Sequence, residues 1–121
     1  MLSMSVSGGP RRGGSLVQLI ILRTLYISPM HGYKLLGEVN ELMAGRRPMK
    51  TGSLYTILRR MEKADLLESE WDEDPSRLDR RIYKLSKEGV EMLKDGRKRV
   101  EEQKRALDGM IAFYNEHFKE E

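Results

Sequence analysis

Apolar residues recur at helical spacing in four stretches of the chain and cluster in two short stretches between the third and the last. Leu16, Leu19, Ile20, Leu22, Leu25 and Tyr26 occupy more than one helix face, which predicts a largely buried first helix. Ser15 is its N-cap and Pro29 stops it. A second helix starts near His31, carries Leu35, Leu36, Val39, Leu42 and Met43, and ends at Gly45, with Pro48 in the connection that follows. The third runs from Thr51, as N-cap, to about Ala64, with Leu54, Ile57, Leu58 and Met61 as an i, i+3, i+4, i+7 stripe. Residues 66–71 and 81–85 follow as two strands, in which Trp71, Ile82 and Tyr83 favour extended backbone. Their connection holds Asp74, Pro75 and Ser76 and is longer than a tight hairpin turn, so a mobile tip is expected.

Ser86 caps a last helix reaching to about Phe118. Leu93, Val100, Leu107 and Tyr114 recur every seven residues, with Val90, Ile111 and Phe118 on the adjoining seam. Arg97 and Lys104 interrupt that seam, and Gly96 and Gly109 weaken the helix taken alone. Such a helix needs a partner surface, and this seam is the candidate dimer interface. The fold class is therefore mainly α with a small β hairpin. Helix, helix, short connection, helix and hairpin is the order of a winged helix-turn-helix. The expected organisation is a flexible tail over residues 1–14, a winged domain over 15–86 and a dimerisation helix over 87–121.

Composition removes several function classes. Among 121 residues there is no cysteine, so disulfides, thiol catalysis and cysteine-ligated metals are excluded. His31 and His117 are the only histidines and stand far apart, so no metal and no cofactor is expected. The GxxxxGK[ST], HExxH and GxSxG patterns are all absent, and enzymatic activity is not expected. No apolar run is long enough for a membrane span, and the Met1–Gly14 start has no apolar stretch resembling a signal peptide. The reading is a cytoplasmic protein with no membrane partner.

The net charge of +3 conceals a gradient. Residues 1–65 hold ten Lys and Arg against four Asp and Glu, a local +6, whereas residues 66–85 and 86–121 sum to −2 and −1. A basic half implies an anionic partner. On the third helix the face opposite the apolar stripe carries Thr56, Arg59 and Lys63, with Ser53 and Arg60 on one flank and Tyr55 on the other. Arginine can read guanine through two hydrogen bonds, and hydroxyls can bond base edges or phosphates. A solvated amphipathic helix would look similar, but the helix order, the wing and the local charge favour DNA recognition. Arg46, Arg47 and Lys50 before this helix, and Arg77, Arg80, Arg81 and Lys84 around the wing, could neutralise phosphates. The acidic run Asp72, Glu73 and Asp74 opposes close approach of the whole hairpin. His31 and Tyr33 open the second helix, where backbone N–H groups favour an anion, and two readings stay open. They contact a phosphate, or Tyr33 packs in the core while His31 sits at the cap.

Several of these residues carry a family resemblance. The stretch Ser28-Pro29-Met30-His31-Gly32-Tyr33, then Gly52-Ser53-Leu54-Tyr55 with Leu58, Met61 and Glu62, resembles the PadR family of transcriptional regulators. Glu68-Ser69-Glu70-Trp71 and Arg80-Arg81-Ile82-Tyr83-Lys84-Leu85-Ser86 continue the likeness into Lys87-Glu88-Gly89. The resemblance covers roughly residues 16–93 and is to the branch with a short C-terminal helix. It implies a winged helix-turn-helix, a homodimer through the last helix and a pseudo-palindromic double-stranded operator. Carried onto matching positions, it implies recognition-helix contacts from Lys50, Ser53, Tyr55, Thr56 and Arg59 or Arg60, and wing contacts from Arg80 and Arg81. Drug-responsive members have a tryptophan on the last helix; this chain has none there, and no residue specifies a small-molecule effector.

The sequence thus reads as a sequence-specific DNA-binding regulator, a repressor acting as a homodimer. His31, Tyr33, Lys50, Ser53, Tyr55, Thr56, Arg59, Arg60, Lys63, Arg80 and Arg81 are its candidate DNA contacts. Leu93, Val100, Leu107, Ile111, Tyr114 and Phe118 are its candidate interface. The alternative is a winged-helix protein-interaction module that does not bind DNA.

Overall fold

The computed structural model describes residues 15–43, 45–73 and 81–119. The expected tail over 1–14 and the expected mobile tip with Asp74, Pro75 and Ser76 lie outside them, as do Arg77 and Arg80.

Helix α1 spans Leu16–Ile27. Its start is a reciprocal capping box: the Gln18 N–H donates to Ser15 Oγ (3.2 Å) and the Ser15 N–H donates to Gln18 Oε1 (3.1 Å). Strand β1, Met30–His31, leads directly into α2, Gly32–Leu42. Helix α3 spans Thr51–Lys63, then come β2, Leu67–Trp71, and β3, Arg81–Leu85. Helix α4, Lys87–Asp95, and α5, Arg97–His117, complete the described chain.

Four sequence expectations change here. The wing is not a hairpin alone: β1 pairs antiparallel with β3, giving the order β1-β3-β2. Two residues between helices are too few to show a period of two, which is why β1 left no pattern. Thr51 is the first helical residue of α3 and the N-cap is Lys50, whose side chain makes no capping bond. The expected single last helix is two helices that meet at Gly96, which is the C-cap of one and the N-cap of the other. Leu93, assigned from sequence to the dimer seam, packs with Met92 against the core of its own domain.

The core joins α1, α2, α3 and the sheet. Ile21, Leu22, Leu35, Val39, Leu54, Leu58 and Met61 are its fully enclosed side chains. Leu54, Leu58 and Met61 realise the inward stripe of α3, with Ile57 half-buried at its edge. Helix α4 packs against α1 and β3, so it belongs with the winged body. None of the residues of α5 is buried. Among the described residues no helix is long and apolar enough to cross a membrane.

Two joints fix α3 relative to the rest. Asn40 of α2 clasps the preceding loop, its Nδ2 donating to the Met49 carbonyl (3.2 Å) and its Oδ1 accepting from the Met49 N–H (2.7 Å). At the other end Asp65 takes a left-handed φ of 64°. The Asp65 N–H then bonds the Glu62 carbonyl and the Leu66 N–H the Met61 carbonyl, a Schellman closure that turns the chain into β2. Ser86 Oγ–H donates to the Asp65 carbonyl (2.5 Å) and accepts from the Gly89 N–H (3.0 Å), tying α4 to the same corner.

Candidate nucleic-acid interface

The surface of α3 divides into three rows. Leu54, Leu58 and Met61 face the core. Ser53, Thr56, Arg60 and Lys63, spaced three, four and three residues apart, form an exposed row, with Lys50 at its head. Thr56 Oγ1 donates to the Gly52 carbonyl (2.9 Å), which fixes the hydroxyl while leaving its lone pairs available to a donor. Tyr55, Arg59 and Glu62 form the third row, on the flank toward the sheet.

That flank and the wing enclose a cleft of about 490 Å³ lined by Tyr55, Arg59, Glu62, Trp71, Arg81 and Tyr83. Its floor is a hydrogen-bond chain: Ser69 Oγ–H donates to Glu62 Oε2 (2.5 Å), and Arg81 Nη1 donates to Ser69 Oγ (2.8 Å). The Arg81 guanidinium lies 4.4 Å over the Trp71 ring centroid, a cation–π contact. Tyr83 is buried beneath, and its burial, reinforced by the Glu62 carboxylate, lifts the phenol above its ordinary pKa.

The remaining sequence candidates separate. Tyr55 does not join the outer row: its ring lies over Gly32, where any added Cβ would collide with it. His31 is the N-cap residue of α2 but makes no capping bond; its Nε2–H donates to Asp72 Oδ2 (2.7 Å), with 18% and 17% of the two side chains exposed. It therefore ties the start of α2 to the end of β2. Tyr33 is 56% exposed, which removes the core reading, and its ring stacks on His31 at 6.2 Å between centroids. Arg46, Arg47 and Ser53 border a smaller hollow of about 230 Å³ with Asn40 and Met49. Ser69 and Asn40 are the positioning residues that sequence reasoning missed. Ser69 lies opposite Tyr83 in the strand pairing, on the same sheet face as Trp71 and Arg81, and that register was its only available signal.

On α5, Leu107 and Ile111 are each 59% exposed, and Val100, Tyr114 and Phe118 are exposed beside them. Phe113 and Met110 widen this apolar face beyond the predicted seam. Among the described residues, no group of three or more His, Asp or Glu side chains is placed to hold a metal ion.

The transcriptional regulator PadR-like family model matches residues 21–95, more than half of the chain. This chain belongs to the PadR-like family. Solved structures agree with the PadR-like assignment. A PadR family transcriptional regulator from Eggerthella lenta is 32% identical, with 88% of this chain and 86% of that one covered and a TM-score of 0.58. A PadR family transcription regulator from Clostridium difficile is 23% identical over 80% of this chain and 99% of that one, with a TM-score of 0.67. A protein from Thermoplasma acidophilum, 25% identical over 80% of this chain and 91% of that one, reaches 0.72. None of the curated proteins compared with the chain matches it. The PadR-like family is one of transcriptional regulators rather than of enzymes, and the mainly helical winged fold with a C-terminal helix is the one its members share.

Proposed function

We propose that this PadR-like protein is a cytoplasmic, sequence-specific repressor that binds a pseudo-palindromic operator as a homodimer. The observation that carries the reading is the exposed row Ser53, Thr56, Arg60 and Lys63, which presents hydroxyls and cations along one face of a helix held rigidly at both ends. Entry of that row into the major groove sets Arg60 against base edges and Lys50 and Lys63 against phosphates. Arg46 and Arg47 flank the same side, and Arg80, outside the described residues, extends the wing contact. The exposed apolar face of α5 supports the dimer: Leu107, Ile111, Tyr114 and Phe118 gain by covering one another across a two-fold axis. In such a dimer the recognition helices stand about 34 Å apart, one duplex turn.

The test is selection of bound fragments from the source genome, followed by titration of the selected duplex and a random one over a range of salt. Binding with a log–log salt slope near −11, as for about six phosphates in each half of the dimer, supports the reading. Absence of duplex affinity at about 50 mM salt overturns it in favour of a protein-interaction module. Arg60→Ala is expected to cost about 1–3 kcal/mol on the selected operator and much less on random DNA.

A further inference from the structure

Arg81 is not a free surface arginine. Its guanidinium is flattened against Trp71 at 4.4 Å and held by Ser69, which is itself held by Glu62 of α3. A guanidinium carries five N–H donors, and among the described residues one of them is seen occupied, by Ser69. The side chain is therefore oriented before any ligand arrives, so little rotamer freedom remains to be lost on binding. Across the cleft stands Arg59, exposed and on the same row of α3 as Tyr55 and Glu62. Both arginines line the same cleft, with Tyr83 among its walls. Two cations against the single Glu62 carboxylate leave the cleft positive. Trp71, 54% exposed, supplies an apolar wall beside the charges.

An anion flanked by an apolar ring is what a sugar–phosphate backbone presents. The cleft lies between the recognition helix and the wing, where the backbone bordering the major groove passes once α3 has entered it. We propose that Arg59 and Arg81 close on one and the same phosphodiester of the duplex. The pair forms a shared phosphate seat at the α3–wing junction, with Trp71 against the adjoining deoxyribose. Arg59 then sets the depth and register of α3 rather than reading a base, and Glu62 and Ser69 are positioning residues acting through Arg81. The seat rests on the duplex-binding reading given above.

The experiment compares wild type, Arg59→Gln, Arg81→Gln and the double variant on a random duplex and on the selected operator, over a range of salt. Failure of wild type to bind either duplex overturns both readings; wild-type binding isolates the seat. Each single variant is expected to lose roughly a hundredfold in dimer affinity, as for one charge-assisted hydrogen bond in each subunit, and equally on the two duplexes. Because the dimer carries the seat twice, each is also expected to make the salt slope shallower by about 1.8, with the double variant little worse than either single one. A fall of about 3.6 in the double variant assigns two separate phosphates to each subunit and overturns the shared seat. An unchanged slope in Arg59→Gln overturns it as well, and that exposed position carries no folding burden. Loss confined to the selected operator makes Arg59 a base reader and overturns the proposal. Ser69→Ala, which releases Arg81 without removing its charge, is expected to weaken binding and leave the slope unchanged; full affinity would deny the positioning role.

Discussion

Gly89 shows how one missing side chain holds two elements together. A Cβ there would run into the Leu66 carbonyl oxygen, and that carbonyl is already fixed by the Ser86 N–H at 3.1 Å. Gly89→Ala must push α4 away from the α3–β2 corner, an overpacking cost of about 1–3 kcal/mol. A lower urea midpoint with an unchanged m-value is the expected measurement. Tyr83 gives a residue-level pH signature. Because burial, and then the Glu62 carboxylate, holds its folded pKa above the unfolded value, ionisation opposes folding. The full stability is present below the unfolded value and is lost as pH rises through the folded one. Tyr83→Phe should therefore lose less stability than wild type between about pH 8 and about pH 11 in urea unfolding; equal losses would remove Tyr83 as the cause.

At the scale of elements, strong local periodicity was legible and tertiary pairing was not. The inward stripe of α3 could be read because Leu54, Leu58 and Met61 repeat at helical spacing, and their burial follows from it. The cap of α1 was legible as Ser15, though its reciprocal partner Gln18 was not recognised. Strand β1 could not be read, since Met30 and His31 become a strand only by meeting Tyr83 and Ile82 some fifty residues later. The outer row of α3 was legible as a set of polar residue types. Tyr55 was already legible on the opposite flank from Ser53 and Arg60; the separation of Arg59 was not, because that depends on which flank the wing covers. Gly96 announced a weakness in the last helix, and the structure turns that weakness into a boundary between an element packed on the body and one left bare.

For the molecule as a whole, the decisive contrast is between a closed winged body and an uncovered α5. Leu107→Glu is expected to leave a monomer in sedimentation, with helical content largely kept, because Leu107 supports no part of the core. An undiminished dimer would exclude the face carrying Leu107 from the interface. The same variant should lose most of its operator affinity while retaining weak binding to any duplex, since each half still carries its own reading row.

Among the described residues, all the buried hydrophobic ones, and the partly buried ones packed on them, fall within residues 16–93, before α5 begins. Substitutions along α5 are therefore nearly exempt from the demands of folding, while substitutions in α3 are constrained by the core on one side and the wing on the other. In the proposed dimer, choice of companion and choice of target can then drift independently in duplicated copies of such a gene. There, a handful of changes on one bare helix would separate two sister proteins that share a target, or join two that do not.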